Sequence, residues 1–382
     1  MTTPSVAEAP TSAMGPVARP AEDNPFFSAG ILGAAQKHLG DPRVTIAAIA
    51  DASGDVIALA PVRSAPLGRL IPAMSIWVHP HGPLGTPLLD AGAIDAAAAG
   101  LIAAMDGGKP GQRILEFPYL PLAGPVADAL RHQAEITGRP IAALGAHRRA
   151  MLKRTGSDPA RFQQAISAKK RKELARQLRR LGELGTLTIE HVSDRDRLAA
   201  ALDDFFALEA SGWKGRRGTA LMLREPEKAF AEAAVAGGDA RIHAIRLDGR
   251  AVAMLVSFTA GRSAVTWKIA YDEAYARFSP GVHIMLEASV ALLADPAIDQ
   301  IDSIAIPDHP MVDPIWPDRL EIGTLVIGPK GGGLRYEIGL ALARLELNLR
   351  ALARRLVRTA RRKAGALKAG LRRSPSTGSP PG

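Results

Sequence analysis

The stretch from Ser263 to Leu293 reads SAVTWKIAYDEAYARFSPGVHIMLEASVALL and predicts a strand that leads through a turn into a helix. From Val265 to Ile269, apolar and polar side chains alternate, which is the period of a strand with one buried face. A polar segment with two of the four tyrosines of the chain follows. Pro280 then suits the first position of a helix, because its missing N–H needs no partner there.

The turn Ser279-Pro280-Gly281 is a candidate ligand site. Ser279 is a good N-cap residue, and Gly281 allows another group to approach the backbone closely. A helix that begins after a strand leaves unpaired N–H groups and the positive end of its dipole facing outward, which suits a phosphate or pyrophosphate. Most turns of this composition are only helix caps, so both interpretations fit the turn taken alone.

Working outward from this unit, periodicity and turn residues predict the second half of the chain. Strands are expected at residues 186–192, 240–247, 251–259, 263–270, 301–306 and 322–327, and helices at residues 194–211, 225–235 and 280–294. The order is strand, two helices, three antiparallel strands, helix, strand, short helix, strand. This order resembles the GNAT acyltransferase fold.

Four motifs sharpen the resemblance to one branch of that fold. They are KKRKELARQLRRLGELG (Lys169–Gly185), LEASGWKGRRGTAL (Leu208–Leu221), LDGRAVA (Leu247–Ala253) and KIAYDEAYARFSPGV (Lys268–Val282). Together and in this order they resemble the CelD-like acetyltransferase family associated with cellulose biosynthesis. The resemblance covers about Arg161 to Ile327, less than half of the chain.

The first half of the chain predicts nearly the same order of elements, which indicates a duplicated fold without a sequence repeat. Helices are expected at residues 25–39, 91–105 and 126–136, and strands at residues 44–50, 56–62, 73–79, 114–119 and 141–147. The junction from Pro83 to Pro87 stands where Ser279-Pro280-Gly281 stands in the second half, but its prolines remove donors that a phosphate needs. We expect it to form a wall of the acceptor cleft or to pack against the catalytic half.

We therefore expect an α/β protein with two GNAT-like lobes, a tandem acyltransferase fold with mixed, mostly antiparallel sheets flanked by helices. The expected segments are a disordered tail at 1–23, an N-terminal lobe at 24–150, a basic linker helix at 151–185, an acyltransferase lobe at 186–345, and a basic amphipathic helix with a disordered tail at 346–382. The cations of the linker helix, predicted at 159–184, fit a solvated face, an acidic acceptor or the phosphates of a nucleotide-bearing ligand.

Composition narrows the function classes. The chain has 382 residues, of which 47% are hydrophobic and 23% charged, enough to bury substantial cores. It has no cysteine, which excludes a disulfide framework, a thiolate metal site and a cysteine nucleophile. The N-terminus lacks the pattern of a signal peptide, and no run of eighteen apolar residues occurs. We expect a cytoplasmic protein.

The net charge of +10 resides in one segment. Residues 349–373 contain ten Lys and Arg and no acid, which leaves 38 basic and 38 acidic residues elsewhere. A duplex-binding protein needs a basic face on its folded domain as well, so the distribution argues against nucleic acid. Leucines at helical spacing among these cations fit an amphipathic helix on an anionic membrane surface, with a peripheral position at the inner membrane. A solvated helix whose leucines pack on its own domain fits equally.

The resemblance implies a donor site for acetyl-CoA. The acyl carbonyl is expected to meet backbone N–H groups at Ile269 and Ala270, and Arg277, Ser279 and Gly281 are expected to hold the pyrophosphate. GNAT enzymes commonly have an Arg or Gln followed by spaced glycines at this turn, whereas this chain has a single glycine and a proline without an N–H. Coenzyme A binding is therefore an expectation from the resemblance.

The candidate catalytic residues lie within or just after the strands expected at 263–270 and 301–306. Tyr271 or Tyr275 could protonate the leaving thiolate, or both could serve packing. An inward orientation of Lys268 would lower the pKa of its amine or pair it with Asp302, whereas exposure is the commoner outcome. His309 is a candidate base.

Two further residues are candidates for substrate binding. Trp213 and Lys214 could supply a platform and a cation for the acceptor or the donor, and the alternative is a core tryptophan that closes the preceding helix. His79 and His81 are weak as a metal site, because alternate strand residues often carry histidine for packing. No ligand spacing matches a known metal motif, so no metal is expected.

The sequence thus predicts an acyl-CoA-dependent acyltransferase of the GNAT type. Its expected acceptor is a sugar hydroxyl or amine of a cell-envelope polysaccharide or its precursor. The first alternative is aminoacyl transfer from charged tRNA, as in the tandem-GNAT transferases of peptidoglycan synthesis, for which the basic linker helix would also suit. The second is a non-catalytic component of an exopolysaccharide synthesis complex.

Overall fold

The computed structural model describes the backbone of residues 15–371 and the side chains of residues 15–353. Residues 1–14 of the tail expected at 1–23, residues 372–382, and the side chains of the expected amphipathic helix beyond residue 353 lie outside this part. For residues 15–23 the expectation of disorder is wrong, because Val17 is buried and Ala21 N donates to Leu89 O at 2.7 Å. Among the residues described, no helix combines the length and the apolar composition needed to cross a bilayer.

The first half builds three α-helices and six strands. They are α1 (Ala29–Leu39), β1 (Thr45–Ala50), β2 (Val56–Leu67), β3 (Ile71–Ile76), β4 (Leu88–Leu89), α2 (Ile94–Asp106), β5 (Ile114–Pro121), α3 (Pro125–Ile136) and β6 (Ile141–Lys153), with a 3-10 turn at Pro25–Phe27 before α1. Asn24 caps that turn, because its side chain accepts from Phe26 N.

The second half follows the expected order with few differences. Its elements are α4 (Ala168–Gly182), β7 (Leu187–Val192), α5 (Arg195–Ser211), α6 (Trp213–Arg216), α7 (Glu225–Gly237), β8 (Asp239–Leu247), β9 (Arg250–Ala260), β10 (Ser263–Tyr271), α8 (Pro280–Ala294), β11 (Gln300–Asp302), β12 (Asp318–Ile327) and α9 (Leu334–Leu371), with 3-10 turns at Arg161–Ala165, Leu221–Leu223 and Glu273–Phe278.

Several predicted elements differ from the structure. The helix expected at 25–39 is divided into a 3-10 turn and α1, the strand expected at 73–79 ends at Ile76, and no helix of the described residues lies between β11 and β12, where a short one was expected. The linker helix expected at 159–184 is divided, because Ser167 starts a new helix by accepting from Lys170 N, so that α4 follows a separate 3-10 turn. The strand expected at 301–306 ends at Asp302, because Ile304 and Asp308 have positive φ angles of 44° and 56°, which no strand accommodates.

All twelve strands join one sheet in which strands of the two halves interleave. The order is β1-β2-β3-β5-β12-β6-β11-β10-β9-β8-β7, and β4 pairs with β2. The late strand β12 lies between β5 and β6, with Ile322 opposite both Pro121 and His147. On its other edge β6 pairs with β11, with Leu152 opposite Ile301. The two halves are therefore joined through backbone hydrogen bonds as well as through side chains.

Helices cover both faces of the sheet. Along β9, Met254 and Val256 belong to the core beneath α5 and α7, whereas Ala253 and Leu255 belong to the core beneath α4 and α8, as the alternation of a strand requires. The α8 helix is apolar on most sides because it lies between the sheet and Trp316, whose indole N–H donates to Ser289 Oγ at 3.0 Å.

Each half contains a parallel pair of strands that separates after three residues. β3 pairs with β5 over Ala73–Ser75, and β10 pairs with β11 over Ser263–Val265. In the first half, the loop after β3 fills the gap that opens between β3 and β5. The Gly85 N–H of this loop donates to Tyr119 O at 3.0 Å. The approach is so close that a Cβ on Gly85 would lie 1.9 Å from Pro118 O. The opening of the first half is thus occupied by its own loop.

Arg149 links the interleaved strands to that loop. Its guanidinium pairs with Asp302 and donates to Pro83 O at 2.8 Å, and its side chain is 1% exposed. The ion pair thus joins β6 of the first half, β11 of the second half and the loop after β3. Burial without the partner would be costly for either charge.

Arg149→Met should lower the free energy of unfolding by about 3–5 kcal/mol, because it leaves the Asp302 carboxylate buried without its partner. Chemical denaturation measures the change. The matched control is Arg148→Met on the exposed side of the same strand, which should stay within about 0.5 kcal/mol of the wild type. Equal stabilities of the two variants would contradict the structural role of the pair.

Candidate functional site

The opening between β10 and β11 in the second half is the candidate site. The register of β10 against β9 shifts between Thr266 and Lys268, which is a β-bulge. Pairing with β11 ends at Val265, so in the described part of the chain no strand pairs with the other edge of β10 from Thr266 to Tyr271. That edge can offer backbone groups to a ligand.

Lys268 lies at this opening beside residues of the first half. Its Nζ is 3.2 Å from His81 Nδ1 and 5.4 Å from the centre of the Trp267 ring. The Trp267 indole N–H donates to His81 O at 2.8 Å, and the His81 ring stacks on Phe230. The loop after β3 therefore forms one wall of the opening through His81.

The two neighbours Lys268 and His81 have lowered pKa values. Burial, followed by the charge of Lys214, lowers the pKa of Lys268 to about 8. Burial, followed by the charge of Lys268, lowers the pKa of His81 to about 4. His81 is thus neutral at pH 7, and its Nδ1 can accept from Lys268 in the tautomer that carries the proton on Nε2.

Lys214 holds the end of β10 in place. Its Nζ donates to Glu209 Oε1 at 2.8 Å and to Ile269 O at 3.0 Å. Glu209 is 3% exposed, and its Oε2 accepts from Leu221 N at 2.7 Å. Lys214 is therefore engaged with protein groups at the expected acyl-binding strand, and Ile269 contributes its carbonyl to it.

Trp213 precedes this lysine at the surface. Its ring is 45% exposed, and the Arg217 guanidinium lies 5.1 Å from the ring centre. Its backbone N–H donates to Glu273 Oε1 at 2.7 Å, and Arg216 donates to Glu273 Oε2 at 2.6 Å. The alternative of a core tryptophan is wrong, because the ring stays accessible beside the opening.

Tyr271 and Tyr275 belong to the α8 side of the sheet, where both rings pack against the core beneath that helix. A Cβ on Gly281 would lie 3.1 Å from Tyr271 Cδ1 and 3.3 Å from Met311 Sδ. The close approach expected at Gly281 is therefore made by these two side chains. Ala270, which precedes Tyr271 in the sequence, is buried.

Ser279 does not cap α8 with its side chain, so that prediction is wrong. It also ends the preceding 3-10 helix in the left-handed conformation, with φ 53°, whereas a side-chain N-cap requires an extended residue. Its carbonyl accepts from Val282 N and His283 N. Among the described residues, the Gly281 N–H is the donor that remains at this helix end.

Three arginines surround a cavity of about 330 Å³ next to the start of α8. They are Arg176, Arg180 and Arg277, and Gln177, Glu183, Leu184 and Phe278 complete the lining. The Arg277 guanidinium lies 4.7 Å from the centre of the Phe278 ring, and Arg277 O accepts from Gln177 Nε2 at 3.4 Å. In this arginine cluster, Arg176 and Arg180 of the linker helix α4 lie beside Arg277 of the expected pyrophosphate turn.

Asp302 and His309 do not join Lys268. The predicted Lys268–Asp302 pair is wrong, because β6 lies beside β11 and brings Arg149 to Asp302. His309 lies on the loop after β11, where its Nδ1 accepts from Met311 N at 3.4 Å, and burial lowers its pKa against the opposing charge of Asp313. The base role of His309 and a catalytic role of Asp302 stay predictions.

A larger cavity of about 570 Å³ lies at the start of β10. Glu22, Leu84, Arg148, Gln300 and Arg319 are among its lining residues. Burial, followed by the charge of Asp128, raises the pKa of Glu22 to about 7. Within residues 15–353, no three His, Asp or Glu side chains are grouped as a metal site would require.

The sequence did not predict the contacts that His81 and Glu209 make at the candidate site. His81 reaches Lys268 from 187 positions away, and no local pattern marks such a contact. Glu209 did carry a signal, since it stands five residues before Lys214 in a motif that was already recognised.

Lys214→Gln should raise the pKa of Lys268 from about 8 toward 10.5, because it removes the neighbouring positive charge and frees Glu209. The pH dependence of the Lys268 Cε chemical shift measures this pKa. Lys228→Gln, on the exposed Lys228–Glu232 pair, is the control and should leave the value unchanged. A constant or lower pKa in Lys214→Gln would contradict the described electrostatics.

Comparison with known proteins agrees with this geometry. Residues 168–305 match the family model described as acetyltransferase (GNAT) domain. This segment spans the linker helix α4, the opening beside β10 and the strand β11. No curated protein matches the chain in sequence.

Solved structures share the fold across most of the chain. FemX has 12% identity and a TM-score of 0.53 over 81% of this chain and 93% of its own. The C-terminal DUF2156 domain of a protein described as a lysylphosphatidylglycerol synthetase from Agrobacterium fabrum has 13% identity and a TM-score of 0.52 over 85% and 92%. A conserved protein of unknown function from Bacteroides thetaiotaomicron has 11% identity and a TM-score of 0.52 over 81% and 92%.

These likenesses confirm the expected fold class of two GNAT-like lobes with a mixed, mostly antiparallel sheet. At such low identity they concern the fold alone. The chain thus carries a GNAT acetyltransferase domain at residues 168–305, within a two-lobed fold that it shares with these structures.

Proposed function

We propose that the protein is an acyltransferase that moves an acetyl group from acetyl-CoA to a hydroxyl or amine of a cell-envelope sugar or polysaccharide precursor. The observation that carries the proposal is the open edge of β10 after Val265, inside the segment that matches the GNAT model, with Lys268 on it 3.2 Å from His81 Nδ1. We further propose a cytoplasmic location, and lobes bounded at residues 24–150 and 186–345 around the linker at 151–185.

In this proposal the donor lies along the open edge of β10. The acyl carbonyl meets the backbone at Ile269 and Ala270, and the pyrophosphate meets the Gly281 N–H and Arg277. The phosphate on the ribose of coenzyme A lies against Arg180 in the adjacent arginine cluster. The self-filled opening of the first half supports one donor per chain.

The chemistry places Lys268 as the general base. Its neutral amine takes the proton of the acceptor hydroxyl or amine while the new acyl bond forms at the thioester carbon. The tetrahedral intermediate then expels the thiolate, which breaks the carbon–sulfur bond and takes a proton from Tyr271 or Tyr275. His81 orients the lysine, and Lys214 with Glu209 fixes the strand that faces the acyl group.

The acceptor in this proposal enters between the halves. Trp213 offers an exposed aromatic face near the opening, and the cavity of about 570 Å³ offers carboxylates and arginines that suit sugar hydroxyls. The loop after β3 connects the two places, because it supplies His81 to the opening and Leu84 to the cavity.

A second candidate is aminoacyl transfer from charged tRNA. FemX and the lysylphosphatidylglycerol synthetase domain share the fold, and the arginine cluster beside α8 also suits the phosphates of tRNA. Retention on charged tRNA with indifference to acetyl-CoA would favour this candidate. A non-catalytic role in an exopolysaccharide complex predicts neither donor binding nor turnover.

Lys268→Gln should lower kcat for acetyl transfer by about 10²-fold or more, measured as release of free coenzyme A thiol with glycan acceptors. Wild-type kcat/KM should rise with pH to a plateau above an apparent pKa near 8, because the base acts in its neutral form. The variant should lose this pH dependence.

The matched control is Lys330→Gln in the turn before α9, which should keep both the rate and the profile. A Lys268→Gln variant with an unchanged profile would remove the lysine from the mechanism. Turnover with charged tRNA and none with acetyl-CoA would replace the proposal by the second candidate.

A further inference from the structure

The helix α9 presents apolar side chains on two opposite faces. One face packs on the sheet through Tyr336, Leu340 and Ala343, all less than a tenth exposed, which join the core with Leu67 and Val326. This face accounts for the docking of the first part of the helix on β2, β3 and β6. It needs no external partner.

The opposite face is apolar and open to solvent. Leu334, Ile338, Leu345, Leu349 and Leu352 are 76%, 42%, 54%, 57% and 53% exposed. Their spacing of four, seven, four and three residues aligns them in one stripe along five turns of helix. A contiguous apolar stripe of this length on a folded surface marks an interaction site.

The charge of the chain rises where the stripe continues. The backbone of α9 stays helical to Leu371, and residues 349–373 carry ten Lys and Arg and no acid. By their spacing in the sequence, Leu356 and Leu367 fall in line with the stripe, whereas the arginines at 354, 358 and 361 fall on the other side.

We propose that α9 lies on a membrane surface rich in anionic lipids, with its apolar stripe at the boundary between headgroups and acyl chains. Apolar side chains on one side and cations on the other are what an interfacial helix requires, and arginines reach the headgroups with long side chains. A second copy of the chain packed on the stripe in the parallel direction would bring two segments of ten cations together, which their repulsion disfavours.

Co-sedimentation of the full chain with vesicles tests the proposal. Vesicles with about 30% phosphatidylglycerol in phosphatidylcholine should bind the protein, and binding should weaken steeply from about 0.1 to about 0.5 M salt. Vesicles of phosphatidylcholine alone should bind at least about tenfold more weakly. Equal binding to both, or to neither, would overturn the proposal.

Two sets of variants assign the binding to α9. Leu345→Asp with Leu349→Asp should weaken binding about tenfold or more, whereas Ile136→Asp with Leu223→Asp, exposed on other elements, should have no effect. Substitution of Arg354, Arg355 and Arg358 by Gln should weaken binding, because it removes three positive charges. If the wild type sediments as a dimer that the Asp pair dissociates, and vesicles do not bind, the stripe serves a second copy instead.

Discussion

The insertion of β12 between β5 and β6 determines how the two halves fit together. Because β12 takes the place next to β5, β6 is free to pair with β11 on its other edge. That placement brings Arg149 against Asp302 and ties both to the loop after β3. Once this loop is fixed, His81 and Trp267 meet at the mouth of the opening beside β10. The strand exchange thus positions a first-half residue in the second-half site.

The lowered pKa values of Lys268 and His81 follow from the burial of both side chains at the opening. Two lysines approach the end of β10, but Lys214 has a buried carboxylate and a carbonyl as partners, whereas Lys268 has a neutral imidazole. Lys214 therefore holds the end of the strand in place, and burial lowers the pKa of Lys268. A lysine with a lowered pKa at an open strand edge suits the general-base role that we propose for it.

Local sequence signals predicted most elements but not the contacts between the halves. Pro280 and the alternation before it gave the bounds of β10 and α8, since capping and periodicity act within a few residues. The predicted pairing of Asp302 with Lys268 was wrong, because a local sequence pattern does not show that β6 pairs with β11 and brings Arg149 to Asp302. Ser279 had the right composition for a cap, but it had to end a 3-10 helix as well. His81 lies beside Lys268 only because the fold brings together two segments that are 187 positions apart.

We propose that the open edge of β10, α8 and the arginine cluster hold an acyl-CoA donor. Isothermal titration of the protein with acetyl-CoA tests it most directly, beside Arg180→Gln with Arg277→Gln and the exposed control Arg335→Gln. The account predicts saturable binding that the paired substitution weakens about tenfold or more and the control leaves unchanged. No binding to the wild type, or equal binding to all three proteins, would contradict it.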